Sequence, residues 1–162
     1  MMNNKGQLME KPFIFIFTVV VGALIFIFGF YLINNLMKAG NCSQLGIFVN
    51  DLKNEVERYY NFDIGSATEV NLKLPKNIKN VCFYTRDDYL NRAEFDKIDK
   101  GLFDAVNNLD YNVIFLPLNT CTKGFFKVIN FKPKENPTCV VNKGKVKLNL
   151  ENKGEYVELS KN

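Results

Sequence analysis

The stretch Phe13 to Ile33, FIFIFTVVVGALIFIFGFYLI, contains no charged residue. At ~1.5 Å per helical residue it reaches about 32 Å, which is enough to cross the ~30 Å hydrocarbon core of a bilayer. Its polar groups are Thr18, whose hydroxyl can bond back to its own helix, and Tyr31, which lies near the interface. A buried helix of a soluble protein is rarely apolar on all sides. The run therefore predicts one membrane-spanning helix over residues 13 to 38.

The span is longer than the apolar core of a cleaved secretory signal, and no A-x-A site follows it. A lipoprotein-type site at Cys42 is also excluded, because Asn41 stands where a small residue is required and Lys38 interrupts the approach. We therefore expect the helix to remain in the mature chain.

A short motif precedes the span. Lys5-Gly6-Gln7, with Glu10 close behind and the apolar helix after it, resembles the class III signal of archaeal pilin-like proteins. The resemblance implies that a membrane peptidase cuts between Gly6 and Gln7 on the cytoplasmic side. Glu10 would become the fourth mature residue, whereas related signals often place an acid at the fifth. Residues 1 to 12 are then a short leader and cytoplasmic segment, and the helix can serve as the core of a filament.

The charges around the span predict its orientation. Lys5 and Lys11 precede it and Lys38 follows it, while the nearby tail carries Asp51 and Glu55. The positive-inside rule then places the N-terminus in the cytoplasm and the tail outside. Four cysteines in the tail fit an oxidising compartment. We expect a single-pass protein of the cell membrane with its soluble domain outside.

Residues 41 to 162 have the composition and size of one soluble α+β head domain. Apolar residues recur every three or four positions from Leu45 to Tyr60, which predicts an amphipathic helix over Ser43 to Tyr60. Asn41 or Ser43 is expected to cap it, with a hinge near Gly40. The predicted fold is a long N-terminal hydrophobic helix followed by a head with this amphipathic helix and an antiparallel sheet, a pilin-like lollipop.

Alternating and apolar runs predict the other elements of the head. We expect a helix from about residue 87 to 107, weakened by Gly101. Asn142-Lys143-Gly144 predicts a hairpin between the strands on either side of it, and Asn152-Lys153-Gly154 leads into the last strand of an antiparallel meander. The predicted strands are 70–74, 81–84, 111–116, 125–131, 139–141, 145–150 and 156–159.

The cysteines are widely spaced and include no C-x-x-C pair. They are compatible with one or two disulfides in any of three connectivities, with a zinc site, or with buried thiols such as Cys82 in a core strand. Asn41-Cys42-Ser43 is a sequon, which predicts a glycan on Asn41 if the tail is outside. The four candidates for disulfide bonding are Cys42, Cys82, Cys121 and Cys139.

Several classes of function are disfavoured. The chain has no His, so a Ser-His-Asp or Cys-His triad is impossible, and no phosphate loop or dinucleotide motif is present. The net charge of +4 is spread without a basic block, so nucleic-acid binding is not expected. We predict no enzyme activity, no cofactor, no catalytic residue and no metal site.

The expected partners are the lipid bilayer and identical subunits that pack through the N-terminal helix. The leading hypothesis is a membrane-anchored structural protein that resembles a pilin-like subunit. The alternatives are a monomeric surface-tethered binding domain and an accessory subunit of a membrane complex.

Overall fold

The computed structural model describes residues 7–86, 90–107, 110–121 and 124–161; for residues 7–11, Ala105 and Asn119 it describes the backbone alone. The chain divides into two compact units, Met1–Gly40 and Asn41–Asn162. We call the first the anchor unit and the second the head.

Helix α1 spans Gln7–Tyr60 and supplies residues to both units. The predicted start of a separate helix near Ser43 is wrong, because the backbone is helical through Gly40 and beyond, so neither Asn41 nor Ser43 is a helix cap. The predicted apolar stripe in the head is confirmed. Its buried members follow the helical repeat and are Leu45, Phe48, Val49, Leu52 and Val56.

Within the described residues the head contains eight strands and two further α-helices. The strands are β1 Ala67–Lys73, β2 Asn80–Phe83, β3 Val113–Leu116, β4 Phe125–Phe126, β5 Phe131–Pro133, β6 Thr138–Val141, β7 Lys145–Asn152 and β8 Val157–Lys161, and the helices are α2 Arg92–Ile98 and α3 Leu102–Asn107. Sheet A has the order β1-β7-β8-β5 and sheet B the order β4-β3-β2-β6. Neighbouring strands are antiparallel except β5 and β8, which are parallel. The predicted α+β class is confirmed.

Sheet B is buried on both faces. Val81, Phe83 and Phe115 on one face belong to a large core that also contains the α1 stripe and the inner residues of sheet A. The Phe48 ring of α1 meets the Phe115 ring edge-on at 5.4 Å. The opposite face carries Tyr84 and packs in a second cluster with residues of α2 and α3. This double burial explains why Val81 to Phe83 in β2 and Val113 to Leu116 in β3 are continuously apolar.

The predicted helix from 87 to 107 is two short helices in the described part of that range. Asp99 is extended and Gly101 has φ +91°, a left-handed conformation that suits glycine, so α2 ends before α3 begins. Asp87 and Asp88, where this helix was expected to open, lie outside the described residues.

The predicted strand from 125 to 131 is also wrong, because its two ends belong to different sheets. The amide of Asn112 takes the place of a strand neighbour at Val128: its Nδ2 donates to Val128 O (2.7 Å), and Val128 N–H donates to its Oδ1 (2.8 Å). Asn130 then turns the chain with φ 55°. The chain therefore leaves sheet B after β4 and joins sheet A at β5.

The predicted hairpin at Asn142-Lys143-Gly144 does not form, although a turn does. β6 pairs with β2 in sheet B, whereas β7 pairs with β1 and β8 in sheet A. Asn142 diverts the chain by donating through Nδ2 to Pro75 O (2.9 Å) and Ile78 O (2.8 Å). The later pairing of β7 with β8 agrees with the predicted meander.

Asn152, in the second Asn-Lys-Gly turn, also bonds through its side-chain amide to a distant segment of the chain. This buried side chain donates to Tyr60 O (3.3 Å) and Phe62 O (2.8 Å), and its Oδ1 accepts from Gly154 N–H (2.7 Å). One side chain thus joins the end of α1 to the turn between β7 and β8.

Replacing Asn152 with alanine should lower the free energy of unfolding by about 2 to 3 kcal/mol, because two carbonyls and one N–H in part-buried hydrogen bonds lose their partner. The chain has no Trp, so the transition is best followed in urea by near-UV circular dichroism of tyrosine. Asn149→Ala on the same strand is the matched control and should change stability by about 0.5 kcal/mol or less. Equal losses in the two variants would contradict this role.

Candidate functional site: the apolar helix and the disulfide-bonded head

The apolar part of α1 is uncovered on all sides. Leu24 is 48% exposed and Phe26 is 82% exposed. The consecutive side chains of Ile25, Phe26, Ile27 and Phe28 are all exposed, and four successive residues at ~100° intervals point around the whole helix. In the described chain this is the single helix with the length and composition to cross a membrane. The described chain therefore has one N-terminal helix that is long and apolar enough to serve as a membrane anchor.

Two details of the anchor agree with a lipid environment. The Thr18 hydroxyl donates to Phe15 O (2.9 Å), so the polar atom within the span is satisfied inside the helix, as predicted. Gly22 and Gly29 lie seven residues apart and therefore on the same side of the helix. Nothing within the chain fills the space where their Cβ atoms would be. Each glycine leaves a small gap in an otherwise bulky surface, and we call the two gaps together the notch.

The predicted processing and glycosylation residues lie on or next to α1. Gly6 is outside the described residues, Gln7 begins α1, and the backbone of Glu10 is helical. Asn41 is helical and half-buried, next to the bonded Cys42. Cleavage after Gly6 and a glycan on Asn41 stay predictions.

The structure pairs the four cysteines as two disulfides. Cys42 of α1 bonds to Cys121, with Cα atoms 5.7 Å apart, and Cys82 of β2 bonds to Cys139 of β6, with Cα atoms 4.1 Å apart. Cys82 and Cys139 are direct partners in the β2–β6 register. Bonded sulfurs are neither free thiols nor zinc ligands. The bridges therefore fasten α1 to the segment after β3, and one strand of sheet B to its neighbour.

Tyr84 is the buried ionisable side chain of the second cluster. Burial raises its pKa to about 12, so the phenol is neutral at physiological pH. Within the described residues its Oη has no hydrogen-bond partner. Its ring contacts Phe95 edge-on at 5.9 Å, which makes it a packing residue of the core.

Exposed ion pairs account for the lowered pKa values of two carboxyl groups in the head. A hydrogen bond from Lys127 lowers the pKa of Asp110, and one from Lys161 lowers the pKa of Glu135. Both pairs are solvent-exposed, so each contributes little to stability. Among the described residues no group of three or more Cys, Asp or Glu is placed to hold a metal ion.

The features that stand out are therefore the uncovered anchor and the two bridges of the head. Sequence reasoning found the anchor through its composition and named the four cysteines, but it had no signal for their pairing. A comparison of the chain with protein-family models, curated proteins and solved structures found no match to any of them.

Proposed function

We propose that this protein is a single-pass, membrane-anchored structural subunit that assembles with identical copies through its N-terminal helix and carries its head outside the cell. The observation that carries the proposal is the helix from Phe13 to Ile33, which is apolar on all sides and uncovered by the rest of the chain. Such a surface needs lipid or other apolar helices around it. The role is structural and includes no catalytic step.

The notch at Gly22 and Gly29 supports helix–helix assembly. Small residues on one side of an apolar helix let a neighbouring backbone approach closely, which strengthens packing between helices in lipid. Substitution of both by leucine would fill the notch without altering the apolar character of the span. The assembly surface is therefore testable apart from membrane anchoring.

The disulfides support the placement of the head. Cys42–Cys121 and Cys82–Cys139 use every cysteine in the chain. Disulfides persist in oxidising compartments and are rare in the cytosol. The excess of lysine before the span favours the same orientation. Together with the resemblance of Lys5-Gly6-Gln7 to a class III signal, this supports a pilin-like route in which the leader is removed at the cytoplasmic side.

The test is to determine which residue is the N-terminus of the full chain isolated from membranes, and to measure its oligomeric state. We expect an intact mass that begins at Gln7, and Gly6→Leu should leave the leader in place because a bulky residue stands at the cleavage site. We also expect oligomers in detergent by light scattering, or filaments sheared from cells. Gly22→Leu/Gly29→Leu should reduce them, whereas Ala23→Leu/Phe30→Leu, with the same spacing on an adjacent side, should not.

An unprocessed monomer would overturn the proposal and favour a tethered binding domain. Copurification with fixed, different partners would instead favour an accessory subunit of a membrane complex. A processed chain that remains monomeric would support the proposed cleavage and contradict the proposed assembly.

A further inference from the structure

Five exposed lysines lie on neighbouring segments of the head, although the sequence separates them, and Lys73, Lys76 and Lys145 line one depression. Three follow one another around the end of β1 and the segment after it, and two belong to the turn before β7 and its first residue. We call them the lysine surface: Lys73, Lys76, Lys79, Lys143 and Lys145.

Backbone and amide hydrogen bonds hold these segments together. Leu74 N–H donates to Gly144 O (3.3 Å), and Asn142 N–H donates to Lys79 O (2.8 Å). The side chain of Asn142 adds its two bonds to Pro75 O and Ile78 O. Lys73 and Lys145 are register partners across β1 and β7. These bonds hold the segments that carry the lysines next to one another.

The lysine surface carries a net positive charge. Residues 70–86 and 136–150, which supply it, contain no Asp or Glu. Within the part of the chain that the structure describes, ion pairs form at Lys147 and elsewhere but at none of these five lysines. Asp51 lines a depression together with Lys73, Lys76 and Lys145, so one carboxylate offsets part of the positive charge.

Part of the lysine surface lies beside the first residues of the head. Lys73, Lys76 and Lys145 line a depression of about 680 Å³ together with Gln44 and Ile47, early residues of α1 in the head. Ile47 is an exposed apolar side chain in this depression. The surface thus combines several cations with one apolar residue close to the chain entry.

Few residues separate the head from the apolar run, since Gln44 follows Ile33 by eleven positions. As α-helix, the chain from Ile33 to Gln44 covers about 16 Å. The polar head-group layer is about 6 Å deep on each side of the hydrocarbon core. The tether is therefore about as long as the head-group layer plus one Debye length at physiological salt, about 14 Å, so it is short enough for charges near Gln44 to reach an anionic surface.

We propose that the lysine surface binds anionic lipid head groups of the membrane in which the chain is anchored. The lysines contact lipid phosphates, and Ile47 rests against the interface. The inference depends on the anchor but not on assembly into a pilin-like polymer. It concerns the subunit while it resides in the membrane.

The test measures how fast a small acylating reagent labels lysines of the full chain in nanodiscs. Discs of phosphatidylcholine are compared with discs that also contain phosphatidylglycerol. We expect labelling of Lys73, Lys76 and Lys143 to slow about five-fold or more in the anionic discs, and to recover in high salt. Lys100 and Lys134, exposed elsewhere on the head, are internal controls and should label equally in both discs.

Variants give a second, independent measurement. Each lysine near an anionic surface contributes about five-fold to binding, so Lys73→Gln/Lys76→Gln/Lys143→Gln should weaken binding of fluorescent phosphatidylglycerol by detergent-solubilised full chain about 100-fold. The charge-matched control, Lys97→Gln/Lys100→Gln/Lys134→Gln, should change it less than about two-fold.

Pyrophosphate added to phosphatidylcholine discs distinguishes a soluble anion from lipid. Protection by phosphatidylglycerol supports the proposal whether or not pyrophosphate also protects. Protection by pyrophosphate without protection by the lipid overturns it, as does equal labelling in the two discs. Equal loss of lipid binding in the two triple variants would also overturn it, because net charge and not this surface would then determine binding.

Discussion

We expect the double substitution Cys42→Ser/Cys121→Ser to lower the free energy of unfolding of the head by about 4 kcal/mol. The bridge closes a segment with a sequence separation of 79 residues, and its removal returns that loop entropy to the unfolded chain. The measurement is urea unfolding of the full chain in detergent, followed by the near-UV dichroism of tyrosine. The anchor helix then contributes little to the signal, since its large rings are mainly phenylalanine.

The second bridge provides the comparison for this experiment. Cys82–Cys139 has a sequence separation of 57 residues, so its removal should cost a similar amount, about 4 kcal/mol. Reduction of the native chain removes both constraints and should leave the head close to its unfolding midpoint, since small domains have about 5 to 15 kcal/mol in total. A loss under about 1 kcal/mol for either pair would show that the bridge does not constrain the head.

Placing two arginines in the span, as Leu24→Arg/Phe28→Arg, should release the protein from the membrane. Each exchange near the bilayer centre costs about 3 to 4 kcal/mol, so the pair costs about 6 to 8 kcal/mol. The whole apolar run contributes a comparable amount, at about −0.3 to −0.6 kcal/mol for each Leu, Ile, Phe or Val. The readout is the fraction of full chain that stays in the membrane pellet after alkaline extraction.

The control for this variant carries the same charge at the same spacing in the head. Asn50→Arg/Asn54→Arg changes two exposed positions of α1 and should leave the chain in the pellet. If the doubly substituted span resists extraction as well as the control does, another part of the protein holds it to the membrane.

Elements encoded by a short window of residues were predicted well. The periodic stripe from Leu45 to Val56 is buried as expected, and the alternating run that became β1 has Val70 and Leu72 inside. The apolar run that became β3 lies inside its sheet, between β2 and β4. In each case the pattern of apolar residues predicts directly which side chains are buried.

Pairing between distant segments was not predictable in the same way. The sequence signal Asn142-Lys143-Gly144 is that of a hairpin, but the Asn142 amide bonds to Pro75 and Ile78 and sends β6 and β7 to different sheets. The Asn112 amide likewise bonds to the backbone of Val128, between β4 in sheet B and β5 in sheet A. An asparagine that turns its own chain looks the same in sequence as one that joins two segments.

The sequence by itself determined the apolar helix that can anchor the chain, because the bilayer responds to the length and composition of one continuous helix and to little else. The tertiary structure decided the disulfide pairs and the gathering of five lysines on one surface. Both depend on which distant segments become neighbours, and β1 pairs with β7 and β2 with β6 through backbone hydrogen bonds that every residue type except proline can make. The anchor can be identified in any chain that contains it, whereas the lysine surface exists only when the head is folded.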